Sequence, residues 1–267
     1  MQIKDRTYVI SGGASGLGKA TAELLVENGA SVVILDMSTE SGEELVSKLG
    51  STKAFFHETD VSSSSSIASA VKASLEFIKK TGHELGGVIP AAGVSLPAKI
   101  VDRNGEMCDM DQFDFVMNIN VRGSVDLVRQ FCPYWIKRQP EKEVDGGDAE
   151  RGVIVLVASS AAFDGQPGQV AYSASKGAIA SLTLPLTRDL ARYGIRVVTI
   201  APSLFESRMT SMMTQKVRDS LLRVMEFPLR PGQAHEFASL VKHSIENKML
   251  NGTVVRLDGG MRMPSKM

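Results

Sequence analysis

The 267-residue sequence has no net charge, no long apolar run and only two cysteines. Lysine plus arginine and aspartate plus glutamate both number 30, so neither nucleic acid nor a membrane surface is an expected partner. No apolar run approaches the roughly 18 residues that a membrane-spanning helix needs. Cys108 and Cys132 are expected to be free thiols in a reducing compartment. The length of 267 residues and the composition agree with a single enzyme domain, and the chain is long enough for one α/β domain with a large core.

Metal-ligand patterns are also missing. The four histidines are isolated and show none of the spacings typical of a zinc site, so we expect no metal and surface or supporting roles for His57, His83, His235 and His243. The first predicted strand begins by Thr7, which leaves no room for an amino-terminal targeting peptide.

A glycine-rich turn joins the first strand to the first helix. The segment from Thr7 to Ser11 reads as a strand, and a helix is predicted over 17–28. Between them Gly12, Gly16 and Gly18 let the backbone turn tightly and approach a pyrophosphate, whose charge the helix amino terminus stabilises. The alternative is that these glycines form a purely structural turn. Their position between a strand and a helix favours dinucleotide binding.

The second strand supplies the acid that such a site needs. It runs from Ser31 to Leu35 and ends in Asp36, 18 residues beyond Gly18. A carboxylate there accepts hydrogen bonds from the adenosine ribose and repels a 2′-phosphate. The sequence therefore predicts NAD as the cofactor, in preference to NADP.

A third motif carries the candidate chemistry. A buried strand from Gly152 is followed by Ser159 at its carboxyl end, and Tyr172 and Lys176 then share one face of a helix. An ammonium one turn away favours the phenolate and should lower the tyrosine pKa, while Ser159 holds the reacting oxygen. The alternative is a surface helix that carries these residue types without a catalytic role. The serine at the strand end favours the catalytic interpretation.

Strands and helices alternate along the whole chain. This pattern predicts an α/β fold, a single-domain Rossmann-like doubly wound sheet of seven parallel strands with its ligand at the strands' carboxyl ends. One long helix is predicted over 110–137, and a small helical substrate flap over about 203–227. The methionines of the flap suit an adaptable apolar pocket, although helical methionines are as often ordinary core.

These motifs together resemble the short-chain dehydrogenase/reductase family over essentially the whole chain. The shared residues are Ser11, Gly12, Gly16, Gly18, Asp60, Val61, Ala92, Gly93, Asn120, Ser159, Tyr172, Lys176, Asp258 and Gly259. The segments 161–177, 200–205 and 251–263 are similar to the type II 3-hydroxyacyl-CoA dehydrogenase branch, which also oxidises hydroxysteroids.

The resemblance implies a role for each matching residue. Tyr172 would be the general acid/base, Lys176 would tune it and bind the nicotinamide ribose, Ser159 would hold the substrate oxygen, and Asn120 would anchor a proton-relay water. The implied cofactor-binding residues are Gly12, Ser15, Gly16, Leu17, Gly18, Asp36, Asp60, Val61, Ala91, Ala92, Gly93, Tyr172, Lys176, Phe205 and Ser207.

Three departures from the family pattern leave the catalytic set intact. Pro90 and Ala91 stand where the family usually has asparagines, which removes an amide that ties the sheet together. Ser203 replaces the glycine of the family's Pro-Gly, which constrains the entry to the flap. Ser11 and Ser207 replace threonines and keep the hydroxyl group.

We therefore expect an NAD-dependent oxidoreductase that interconverts a secondary alcohol and a ketone, most simply a 3-hydroxyacyl-CoA dehydrogenase. The same scaffold could tailor a steroid, lipid or secondary metabolite, or serve as an interaction subunit of a larger complex. The resemblance implies a homotetramer. The last three residues, Ser265, Lys266 and Met267, match the pattern of a peroxisomal address, with the cytoplasm as the alternative.

Overall fold

Seven strands pair side by side into one parallel sheet in the computed structural model, which describes residues 1–137, 150–206 and 215–263. The sheet order is β3-β2-β1-β4-β5-β6-β7. The strands are β1 (Arg6–Ser11), β2 (Ser31–Asp36), β3 (Ala54–Glu58), β4 (Glu84–Pro90), β5 (Gly152–Val157), β6 (Ile195–Pro202) and β7 (Thr253–Leu257). The order reverses between β1 and β4, so the carboxyl ends of these two strands border the crevice where such sheets bind ligands.

Helices cover both faces of the sheet. They are α1 (Gly16–Glu27), α2 (Thr39–Leu49), α3 (Ser64–Thr81), α4 (Met110–Met117), α5 (Ser124–Lys137), α6 (Val170–Leu190), α7 (Gln215–Leu222) and α8 (Ala234–Glu246). Alternate side chains of a strand point to opposite faces, so each face of the sheet has its own core. Tyr8 and Ile10 pack with α1 and α8, whereas Val9 packs in the cluster that includes α3, α5 and α6. None of the helices in the described ranges has the length and hydropathy that a membrane-spanning segment requires.

A buried arginine links β6 to the end of α8. The Arg196 guanidinium donates hydrogen bonds of 2.7–3.2 Å to the carbonyl oxygens of Ser244, Ile245, Asn247 and Leu250. It also pairs with Glu150 at 2.6 Å. The last carbonyls of a helix have no partner within the helix and carry partial negative charge, which a cation stabilises. Arg196 thus holds the last helix against the sheet.

The predicted alternation of strands and helices is confirmed, and the boundaries of β1, α1 and β2 fall within one residue of the prediction. The long helix over 110–137 is present but is interrupted by a π-helical stretch, Asn118–Gly123. In the flap, Leu221 and Met225 are buried against Leu204 and Met261, so the core interpretation is correct for Met225. The three other flap methionines, Met209, Met212 and Met213, lie outside the described residues.

Candidate active site

Ser159 lies just beyond the carboxyl end of β5, where its hydroxyl is oriented by a tight turn. The 3₁₀ turn Ser160–Ala162 follows at once, and the backbone N–H of Ala161 donates to Ser159 Oγ at 3.1 Å. The hydroxyl proton of Ser159 is therefore left to donate elsewhere. Ser159 is near enough to Tyr172 to lower the pKa of the tyrosine by hydrogen bonding, so the two predicted catalytic residues share one site.

Tyr172 and Lys176 occupy the first turns of α6, four residues apart on one face, as predicted. The Lys176 ammonium lies 5.8 Å from the centroid of the Tyr172 ring and donates to the carbonyl oxygen of Val157 at 2.9 Å. Because Val157 is the last residue of β5, the strand that presents Ser159 also holds Lys176. Local helix geometry and a strand end thus bring three catalytic candidates together.

Asn120 joins the same network from the π-helical stretch. Its amide is bonded to both backbone groups of Val94, at 2.8 and 2.9 Å, and donates to Ser175 Oγ at 3.0 Å. Ser175 in turn donates to the carbonyl oxygen of Tyr172 at 2.7 Å. Ser175 is not among the residues predicted from the sequence, although its position between Tyr172 and Lys176 on the buried helix face indicates a place in the site.

Burial controls the ionisation of this cluster. It raises the pKa of Tyr172 above its usual value of 10.0, and the hydrogen bond with Ser159 acts in the opposite direction. Burial also lowers the pKa of Lys176 to about 8. The expectation that Lys176 brings the Tyr172 pKa down is therefore wrong for this arrangement, because desolvation of the phenolate outweighs every other influence. A neutral Tyr172 is a proton donor, as carbonyl reduction requires.

The glycine turn forms a cradle that a dinucleotide fits. Gly12 has φ +64°, and a Cβ on it would lie 2.8 Å from the backbone of Ala92. A Cβ on Gly18 would lie 2.2 Å from the Gly12 carbonyl oxygen. Ser15 caps α1 with extended backbone but makes no side-chain capping bond, so the N–H groups that begin the helix at Gly16 remain available to a phosphate.

Asp36 lies at the carboxyl end of β2, beside this turn. Its carboxylate accepts hydrogen bonds from the backbone N–H groups of Ala14 and Ser38, both at 3.1 Å. The acid that is predicted to bind the adenosine ribose therefore also holds the glycine turn in place. Leu17, on the first turn of α1, packs partly against the core.

The remaining cofactor candidates border the same crevice on β3, β4 and their connections. Asp60 accepts two hydrogen bonds from Ser62, and Val61 is buried. Ala91 and Ala92 are held by Ser11, whose carbonyl and hydroxyl oxygens accept from their N–H groups at 3.1 and 3.3 Å. One backbone bond and one side-chain bond to Ser11 therefore tie the end of β4 to β1 where the family's asparagine amide is missing.

Gly93 lies between the cofactor crevice and the catalytic residues. A Cβ on it would lie 3.2 Å from Asn120 Oδ1 and 3.4 Å from Lys176 Nζ. Any larger residue would therefore crowd the space beside the lysine.

Two predicted residues follow β6. The Phe205 ring is buried and packs edge-on against Phe237, with centroids 6.4 Å apart, so the ring belongs to the core. Ser207 lies outside the described residues. Ser203, which replaces the family glycine, has a buried hydroxyl with no hydrogen-bond partner among the described residues.

This site has the parts of a dinucleotide-dependent oxidoreductase. The residues from Gly12 to Gly18 and Asp36 would hold the cofactor, which when bound supplies a hydride acceptor or donor. Ser159 and Tyr172 would hold the oxygen of an alcohol or ketone, and Tyr172 would exchange its proton. No group of three metal-ligating side chains occurs in the part of the chain that the structure describes.

Comparison with known proteins gives the family. Residues 6–218 match the model of the short chain dehydrogenase family. The chain is 40% identical over 262 residues to a 3-hydroxyacyl-CoA dehydrogenase type-2 of Drosophila melanogaster, covering 98% of this chain and 99% of that protein.

Solved structures agree. A 3-hydroxyacyl-CoA dehydrogenase type-2 from Mycobacterium avium has a TM-score of 0.88 and 33% identity, covering 98% of this chain and 97% of that one. A 3-ketoacyl-(acyl-carrier-protein) reductase from Brucella melitensis complexed with NADH has a TM-score of 0.81 and 26% identity, and the match covers 97% of this chain and 98% of the reductase. The chain belongs to the short-chain dehydrogenase family and is an NAD-dependent oxidoreductase, as its sequence predicts.

Proposed function

We propose that the chain is a 3-hydroxyacyl-CoA dehydrogenase, which oxidises the C3 hydroxyl of an acyl-CoA to a ketone with NAD. The full-length 40% identity to an enzyme of that name carries the proposal. The network of Ser159, Tyr172 and Lys176 supports it, because each of these groups has a function in this reaction.

The reaction assigns one task to each group. The Ser159 hydroxyl donates a hydrogen bond to the C3 oxygen and keeps this oxygen beside Tyr172. In the oxidative direction Tyr172, once ionised, would take the proton of the C3 hydroxyl, and bound NAD would supply the acceptor for the C3 hydride. Lys176 would bind the nicotinamide ribose of the cofactor, as the family resemblance implies. In the reductive direction neutral Tyr172 returns the proton.

A substrate panel tests the assignment. Purified protein is incubated with NAD and 3-hydroxyacyl-CoAs of increasing chain length, hydroxysteroids or short secondary alcohols, and the absorbance of the reduced cofactor is followed. We expect the highest kcat/KM with a 3-hydroxyacyl-CoA, and the loss of most turnover in the Tyr172→Phe control. A higher kcat/KM with a steroid or simple alcohol would overturn the acyl-CoA assignment. Absence of turnover with every substrate would favour the interaction role.

We also propose a homotetramer that uses α4 and α6 as contact surfaces. Phe115 on α4 and Val170 and Leu184 on α6 are large apolar side chains that are 44–48% exposed. Apolar side chains exposed on neighbouring helices are typical of a surface that another copy covers. Native mass spectrometry should give four chains, and Phe115→Asp should lower that number. Met249→Asp, at an exposed apolar residue between α8 and β7, is the control.

For location we propose the peroxisome. The supporting residues Ser265, Lys266 and Met267 lie outside the described part of the chain. Their serine, base and terminal apolar residue follow the pattern Ser-Lys-Leu, and acyl-CoA oxidation suits that compartment. A fluorescent protein fused at the amino terminus should collect in peroxisomes and become cytosolic when Met267 is deleted. Diffuse fluorescence with the native tail would assign the protein to the cytoplasm.

A further inference from the structure

Arg256 connects the catalytic loop to the carboxyl-terminal segment. It lies on the edge strand β7, and its guanidinium donates to Asp164 in the loop between Ser159 and Tyr172. It also donates to Asp258 at 2.6 Å and to the carbonyl oxygen of Met261 at 3.2 Å. The three charged side chains are only 10–22% exposed, so these are charge-assisted hydrogen bonds that water screens weakly.

Asp164 ends the turn that orients the catalytic serine. The N–H groups of Phe163 and Asp164 donate to the Ser160 carbonyl oxygen at 3.0 and 2.9 Å, which closes the turn. Within it, Ala161 N–H donates to Ser159 Oγ. The Arg256 guanidinium also lies 5.2 Å from the centroid of the Phe163 ring. Arg256 therefore contacts both residues that finish the turn, and the turn sets the direction of the Ser159 hydroxyl.

The same guanidinium contacts the base of the flap. Met261, whose carbonyl oxygen it binds, is fully buried in a cluster with Leu204, Leu221 and Met225. Asp258 also accepts from the N–H of Gly260, which fixes the backbone just before Met261. One side chain thus holds the serine turn and the segment beneath the flap in a common position.

We propose that Arg256, acting through Asp164, is a positioning residue for Ser159. The proposal rests on the proposed function in one respect, that Ser159 holds the substrate oxygen. Loss of the guanidinium frees the end of the turn and leaves the Asp164 carboxylate without this partner. A misplacement of about 1 Å at a reacting group can cost up to about 100-fold in rate. We therefore expect kcat to fall about 10- to 100-fold in Arg256→Met.

A double-mutant cycle separates positioning from general stability. The four proteins are the unmodified enzyme, Arg256→Met, Ser159→Ala and the double variant, assayed with the best substrate of the panel. Because Arg256 acts through Ser159, its substitution should lower kcat less than about twofold when Ser159 is already alanine. Asp164→Asn should behave in the same way. An equal fold-loss in both backgrounds would overturn the proposal.

Arg262→Met is the matched control. Arg262 donates to the same Asp258 carboxylate and the same Met261 carbonyl, at 2.9 and 2.7 Å, but it is 61% exposed. The contacts of Arg262 do not include Asp164, so the kcat of the Arg262→Met variant should stay near that of the unmodified enzyme. NADH affinity, measured by fluorescence, should be unchanged in both arginine variants. A loss of kcat in Arg262→Met equal to that in Arg256→Met would also contradict the proposal.

Two further measurements keep the result interpretable. If Arg256→Met does not fold, Arg256→Lys and Asp164→Asn complete the cycle, because both keep the size of the side chain. A wrong acyl-CoA assignment shows in the unmodified enzyme alone, as a preference for another alcohol. The cycle is then run with that alcohol, so failure of the positioning role is seen separately.

Discussion

Replacing Lys176 with methionine should remove a pH dependence of the free energy of unfolding that the unmodified protein has. Burial lowers the pKa of Lys176 from 10.5 to about 8. At 1.36 kcal/mol per pKa unit, the folded state loses about 3 kcal/mol when it keeps this ammonium charged at neutral pH. Methionine has a similar length and no charge, so the variant avoids that cost.

The sign follows from proton binding in the two states. Between pH 8 and 10.5 the unfolded chain keeps the Lys176 proton while the folded chain releases it. Stability of the unmodified protein therefore rises with pH over this range, relative to a protein without the group. Below about pH 8 both states are charged and the full cost remains. The variant, which has no proton to lose, does not gain this stability.

At about pH 7 two effects oppose each other in the variant. The desolvation cost disappears, but the hydrogen bond to the Val157 carbonyl is lost, and an unpaired buried carbonyl costs about 1–3 kcal/mol. The two proteins should therefore differ little there. Between pH 7 and about pH 10, the free energy of unfolding of the unmodified protein should rise by about 2–3 kcal/mol relative to that of the variant.

Urea unfolding at both pH values measures this difference. The single tryptophan, Trp135, is fully buried and its indole N–H donates to the Leu85 carbonyl oxygen, so its fluorescence reports unfolding. Protomer concentration is kept constant, because assembly changes apparent stability. Lys72→Met, at an exposed lysine on α3, is the control and should show no such trend. A difference for Lys176→Met that stays constant with pH would refute the reasoning.

The remaining predictions concern cofactor choice, proton transfer and the fold. The unmodified enzyme should prefer NAD strongly over NADP, and Asp36→Ala should narrow the kcat/KM ratio and weaken NADH binding, because Asp36 also holds Ala14; equal efficiency with both cofactors before mutation would contradict this. Tyr172→Phe should keep NADH affinity within about twofold while losing most turnover, since the ring remains and the acid/base is gone; substantial remaining turnover would mean another proton donor. Arg196→Met should lower the free energy of unfolding by about 3–5 kcal/mol, as expected when a buried ion pair loses one partner; urea unfolding would show it, with exposed Arg192→Met nearly neutral.

Most of the catalytic geometry could be predicted because it is local. Tyr172 and Lys176 are one helical turn apart, so their common face follows from helix geometry alone. Ser159 follows a buried strand, and Asp36 ends another, so the parallel sheet brings both to one edge. The structure places all of these residues as their spacing predicts. Their individual roles in binding and catalysis stay predictions until variants are measured.

What could not be predicted depends on contacts between distant residues. The π-helical stretch that carries Asn120 accompanies hydrogen bonds to Val94, 26 residues away. Arg256 meets Asp164 across 92 residues, and no periodicity in either segment indicates the pair. The rise in the Tyr172 pKa has the same origin. Burial depends on everything that packs around α6, whereas the spacing to Lys176 shows only the opposing charge.

Substrate selection should depend on segments that carry none of the family's shared residues, such as the segment before α4. The segment before α4 forms a small hairpin, closed by a bridge between Val101 and Met107, whose apolar side chains are exposed. The Ala98 N–H donates to the Gly168 carbonyl oxygen at 2.9 Å, so the hairpin is attached just before α6 and Tyr172. Family membership defines the hydride chemistry, whereas the alcohol must be found by assay, because one fold carries different functions through different sites. Exchange of this hairpin, rather than of the catalytic residues, is therefore the change that should alter which alcohol is oxidised.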